Sequence, residues 1–189
     1  RVANQTAFNG TKLLDGSFTS QAFQVGANQG QTINIAAIAN ANIDKLGTWT
    51  TPSSASVTGA AATAFTAINA GDLTINGINI GAVAAGGAAP AQGANVAAAI
   101  NAMSVETGVT ATADGSGLVT LSSSSAITVA FAGASATTAT TGLTAATTAV
   151  TAGTAQTGFL NLDISTTTGA DNAILAMDAA LKSVNSARA

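Results

Sequence analysis

The chain has 189 residues, of which 47% are hydrophobic and only 7% charged, with a formal net charge of −3. Forty-six residues are Ala and 44 are Ser or Thr, so the chain can form one or two modest domains with a thin core. It has no His, Cys or Tyr, which excludes a zinc finger, a thiol nucleophile, a Ser–His triad and a haem ligand set.

In chain order, Phe8-Asn9-Gly10 and Leu14-Asp15-Gly16 carry turn dipeptides around Lys12–Leu14 and predict a short strand or hairpin. Phe23-Gln24-Val25 and Ile33-Asn34-Ile35 alternate as half-buried strands do, with a loop from Gly26 to Gly30 between them. Ile38–Leu46 reads as a short helical turn closed by Gly47, and Thr48–Thr58 as a linker. Leu73–Ile75, the Asn76-Gly77 turn and Ile78–Ile80 make the strongest hairpin signal in the chain. After a Gly/Ala loop around Pro90, Val96, Ile100 and Met103 mark one face of a helix over 94–104. Strands follow at Val109–Ala113, Leu118–Leu121 and Ile127–Phe131, and the Ala/Thr tract 137–157 reads as strand or loop.

The last element has the clearest pattern. Ala170, Ile174, Met177, Leu181, Val184 and Arg188 fall at steps of four and three, as a heptad seam does. Thr168 followed by Asp171 resembles a capping box, and Arg188 is a cation suited to the other end of the helix dipole. An ordinary packed helix explains the same spacing, so both readings stay open. Either way the stripe needs a partner, since a helix this short is marginal alone.

Charge divides the chain into three. All basic residues (Arg1, Lys12, Lys45, Lys182, Arg188) lie near the ends, and they are too few for a nucleic-acid footprint. Between Leu46 and Leu162 the only ionisable side chains are Asp72, Glu106 and Asp114. That stretch is not a membrane span, because Asn, Gln, Pro and Gly interrupt every apolar run. The three carboxylates have no spacing that demands a catalytic pair. Asp114-Gly-Ser-Gly117 lacks the oxygen ligands of a calcium site, and Gly81–Gly93 lacks the Gly-Lys-Ser/Thr ending of a phosphate loop. No enzyme activity, cofactor or metal is expected. A start at Arg1, without Met or a signal pattern, reads as a fragment or processed product.

Arg1-Val-Ala-Asn-Gln-Thr-Ala-Phe-Asn-Gly-Thr-Lys-Leu-Leu-Asp-Gly-Ser17 with Phe23–Ile33, and Asp163–Thr166 with Ala173–Arg188, resemble bacterial flagellin. The stretches Asp72–Ile80, Ala94–Met103 and Gly108–Thr112 resemble a repeat module of flagellin variable regions. The resemblance implies an α+β fold: inner segments at 1–47 and 160–189, the second a heptad helix, and a β-rich α+β outer domain over 48–159. It also implies a structural subunit of the extracellular flagellar filament, serving motility, with other flagellin subunits as partners. The family's long terminal helices are not in this sequence, so the piece alone is expected to be monomeric. The main contacts of the whole protein with a host innate-immune receptor are expected to lie upstream of Arg1. In the inner layer Ile174, Met177, Leu181 and Val184 would pack on Leu13, Leu14, Phe23 and Val25.

A second reading is a cell-surface carbohydrate-binding or adhesive module, in which Trp49 and Phe65 stack on sugars. Against it, both aromatics suit an ordinary core. Asn4-Gln-Thr6 and Asn9-Gly-Thr11 match the N-glycosylation pattern, for which chance is the better explanation in a bacterial protein. Ser122–Ser125 and the Thr-rich 137–148 offer acceptors for O-linked sugars.

Overall fold

The structure, a computed structural model, describes residues 1–188. It begins with a helical turn α1 (Val2–Gln5) and strands β1 (Ala7–Phe8), β2 (Thr11–Lys12), β3 (Thr19–Gln24), β4 (Thr32–Ala37), β5 (Thr48–Thr50) and β6 (Ala55–Ala61). Strands β7 (Leu73–Ile75) and β8 (Ile78–Asn79) precede helices α2 (Ala89–Ala102) and α3 (Ser104–Thr107). Next come β9 (Thr110–Ala113), β10 (Leu118–Ser123), β11 (Ile127–Phe131) and the one-turn helix α4 (Thr138–Thr141). Strands β12 (Ala146–Thr148) and β13 (Ala155–Thr157) lead to α5 (Thr167–Arg188). The fold class is α+β. Two compact units result: a central one, Pro52–Gly153, and a terminal one built from Arg1–Thr51 and the chain from Thr154 onward.

The central unit holds two antiparallel sheets, ordered β6-β10-β9 and β12-β11-β7-β8. Its core comes from alternate strand positions: Leu73 and Ile75, Val119 and Leu121, Ile127 and Val129 are all buried. Helix α2 adds Val96 and Ile100, one turn apart, against β9 and β10. This helix starts at Ala89, not near Ala94, because Pro90 sits in its first turn, where a missing N–H leaves no bond unmade. Gln92 on the same face is wholly buried yet satisfied. Its Oε1 accepts from Gly86 N (2.7 Å) and its Nε2 donates to the carbonyls of Thr140 (3.0 Å) and Thr66 (3.2 Å).

Polar side chains replace ion pairs in holding the turns. Asn76 takes the left-handed conformation (φ 52°) that the β7–β8 turn requires. Its Oδ1 accepts from Thr128 N (2.7 Å) and its Nδ2 donates to the Thr107 carbonyl (2.9 Å). Asp72 accepts from the Ser135 hydroxyl (2.5 Å) and amide (3.1 Å), and these bonds hold its carboxyl below the usual carboxylate range. Asp114 Oδ1 accepts from the amides of Ser116 and Leu118. The Ala/Thr tract does not stay extended throughout: it opens with α4, where Thr137 and Thr140 form a reciprocal capping box with Thr in the usual Glu place.

In the terminal unit, Asn9-Gly10 closes the β1–β2 hairpin, and β3 pairs with β4, Phe23 opposite Ile33. The expected linker at 48–58 is strand instead: β5 pairs with β13, Trp49 opposite Gln156, and β6 begins at Ala55. Ile38–Leu46 contributes only a turn, in which Lys45 N and Leu46 N donate to the Asn42 carbonyl. The cap of α5 is Thr166 rather than Thr168, since Gly169 N donates to Thr166 Oγ1 (3.0 Å) and Ala170 N to its carbonyl. The side chain of Arg188 lies outside the described residues.

Leu121→Ala should destabilise the central unit by about 2–5 kcal/mol in urea titration, since its fully buried site cannot collapse around the loss. Because the Asp72 carboxyl is held low in the folded state, its contribution is present above 3.8, the value of the unfolded chain, and fades as pH falls through its lowered folded value. Asp72→Asn should therefore make the acid-unfolding curve of this unit shallower below pH 3.8.

Candidate functional site: the uncovered face of α5

The terminal unit contains one long helix, and its two faces differ in size of side chain. Ala176 and Ala180 are buried at 0% and 6% exposure, and Ala173, Ala179 and Ser183 are half-buried beside them. The helix packs against β5. Gly47, at φ +82°, comes so close that a Cβ placed on it would lie 2.6 Å from Ala179 C and Ala180 N. Only glycine tolerates that conformation and that approach together. Helix and chain meet nearly backbone to backbone.

The neighbouring face, about a third of a turn round, carries the heptad stripe. Ile174 is 63% exposed, Met177 51%, Leu181 61% and Val184 41%. The expected burial of this stripe is thus corrected: α5 docks through its alanines, because bulky side chains at those positions would hold the chain off the helix. The residues expected to cover the stripe do not do so. Phe23 and Val25 are 40% and 61% exposed, while Leu13 and Leu14 are half-buried elsewhere in the unit. The β3–β4 ribbon is exposed along both strands, so Phe23, Ile33 and Ile35 form a second uncovered apolar surface. The cleft where Ile35, Ala37 and Ile38 approach α5 is walled on the helix side by Ser183, Ser186 and Ala187, not by the stripe.

Of the aromatics, Trp49 lies in β5, half-buried, with Nε1 donating to the Gly158 carbonyl (2.9 Å). It borders a cleft of about 420 Å³ with Asp44, Asp163 and Asn172, and Asn172 Oδ1 is buried there without a donor. Phe65 lies in the central unit, 38% exposed, in the loop after β6. Two carboxylates of the terminal unit, Asp15 and Asp163, serve local structure. Asp15 is held below its usual range by the Ser17 hydroxyl (2.6 Å) and amide (3.0 Å), with Lys12 at 3.8 Å. Asp163 is lowered likewise by the Ser165 amide (2.9 Å). Among the described residues, no three acidic, His or Cys side chains gather as a metal would need. Among the described residues, no helix is long and apolar enough to cross a membrane.

The sequence pattern identified both α5 and its stripe. What it could not show was which face the chain itself would bury; the run of Ala173, Ala176, Ala179 and Ala180 one face over was the available signal. The two faces should respond oppositely to mutation. Leu181→Asp should leave unfolding of the isolated chain within about 0.5 kcal/mol of the parent. Gly47→Val should release α5, seen as faster amide exchange along 170–184.

No family model matches the chain. It is 47% identical over 47 residues to the B-type flagellin of Pseudomonas aeruginosa, an alignment covering 25% of this chain and 9% of that protein. It is 52% identical over 33 residues to flagellin B of Vibrio cholerae, covering 18% and 9%. A longer alignment, 116 residues at 34% identity, joins it to flagellin A of Helicobacter felis and covers 60% of this chain and 21% of that one. The chain thus spans between about a tenth and a fifth of the length of these relatives. A solved structure of FliC from Burkholderia pseudomallei aligns over 99% of this chain and 74% of that one, at 21% identity and a TM-score of 0.41, too low to bear on the fold. In the sequence alignments, this chain resembles bacterial flagellin.

Proposed function

We propose that the chain is part of a flagellin, a structural subunit of the extracellular flagellar filament that serves motility, and that it acts by packing rather than by catalysis. The observation that carries this reading is the bulky apolar stripe on α5, left uncovered in a unit that already buries its alanine face. Exposed apolar surface of this extent on a helix of 22 residues marks an interaction face. In the filament the stripe and the Phe23/Ile33/Ile35 ribbon are covered by further helical segments of the parent chain and by neighbouring flagellin subunits. The central unit, with its apolar strand residues already turned into its own core, is the part exposed at the filament surface. Contact with a host innate-immune receptor belongs to the whole protein, and the isolated chain is monomeric.

The test is assembly. The parent chain restored on both sides should form filaments visible by negative-stain microscopy. Ile174→Asp with Leu181→Asp should abolish them while leaving the circular-dichroism spectrum of the 189-residue chain unchanged. Filaments of normal length from the double variant would overturn the reading.

A further inference from the structure

Four Asx-Gly steps occur in the chain: Asn9-Gly10, Asp15-Gly16, Asn76-Gly77 and Asp114-Gly115. Such steps are chemically labile, because a glycine amide is the least hindered nucleophile that can attack the preceding side-chain carbonyl carbon. Whether they react depends on the freedom of the side chain to swing over its own backbone.

Three of the four are tied. Asp15 is gripped by the hydroxyl and amide of Ser17. Asn76 is held at both ends of its amide, by Thr128 N at 2.7 Å and the Thr107 carbonyl at 2.9 Å, between strands whose Ile75 is fully buried. Asp114 accepts two backbone amides, from Ser116 at 2.8 Å and Leu118 at 2.9 Å. Asn9 differs on every count. It is exposed, its side chain makes no hydrogen bond among the described residues, and a Cβ on Gly10 would meet nothing within 4 Å. The hairpin around it has strands of only two residues each, Ala7 opposite Lys12 and Phe8 opposite Thr11, all exposed. So short a ladder opens readily, and opening supplies the backbone rotation that ring closure needs.

We propose that Asn9 is a site of spontaneous modification, converting to aspartate and isoaspartate through a succinimide while Asn76 stays intact. The Gly10 nitrogen bonds to Asn9 Cγ, the Cγ–Nδ2 bond breaks, and ammonia leaves carrying the proton from the Gly10 amide. Water then opens either ring carbonyl, giving aspartate or isoaspartate. The product gains a carboxylate three residues from Lys12, and isoaspartate adds one main-chain carbon at a two-residue turn. The β1–β2 register cannot survive that insertion. The modification would therefore mark aged molecules by loss of this hairpin, whatever the chain assembles with.

The experiment is a time course in mildly alkaline buffer with peptide mapping by mass spectrometry. Trypsin releases Val2–Lys12, which should split into early- and late-eluting species one mass unit heavier. An elastase digest reads Asn76 in the same samples. Asn9 should convert at least roughly tenfold faster than Asn76, since two hydrogen bonds must break before Asn76 can close its ring. In urea the two rates should converge, and Gly10→Ala should slow only the first. Equal rates at the two sites in native buffer, or an Asn9 peptide that keeps its mass, would overturn the proposal.

Discussion

The contact on which the terminal unit depends is the approach of Gly47 to the backbone of α5 at Ala179 and Ala180. A Cβ at position 47 would change the spacing of whole elements, so the choice of small residues fixes which face of the helix points inward. Burying alanine gains little per residue in apolar area. It leaves Ile174, Met177, Leu181 and Val184, the side chains with most to gain from burial, facing away. A helix that spends its weak face at home and keeps its strong face free is arranged for association, and the proposed filament role follows from that asymmetry more than from any single residue.

The central unit is built on the opposite plan. Its strands turn Leu73, Ile75, Leu121, Ile127 and Val129 into a closed core, and their alternate positions carry Thr and Ser. With almost no charges available, the unit secures its turns with amide and hydroxyl side chains: Asn76 across strands, Asp72 on Ser135, the Thr137–Thr140 box. The Asn76 bonds and the Thr137–Thr140 box are neutral and are little affected by salt, unlike surface ion pairs.

Local patterns carried far in this sequence. The Asn76-Gly77 hairpin, the β9–β10–β11 succession and the long last helix were legible because turn chemistry and side-chain period act within a few residues. The misread stretches share a cause. Thr48–Thr50 looks like linker because its strand character comes from pairing with β13, more than a hundred residues away. The start of α2 was hidden by Pro90, which reads as a breaker except in the first turn. The face of α5 was misassigned because periodicity finds the most hydrophobic stripe, while docking here selects the smallest. The flagellin resemblance points the functional direction, and the exposed stripe is the feature on which the proposed filament role rests.

Cysteine accessibility along α5 tests the central claim most directly. With no native Cys to interfere, single cysteines at 174, 177, 181 and 176 can be labelled with a maleimide in the isolated chain and in filaments of the restored parent. The account predicts fast labelling at 174, 177 and 181 and slow labelling at 176 in the chain, with the first three becoming protected on assembly. Protection of 174, 177 and 181 in the isolated chain, or their continued rapid labelling in filaments, would contradict it.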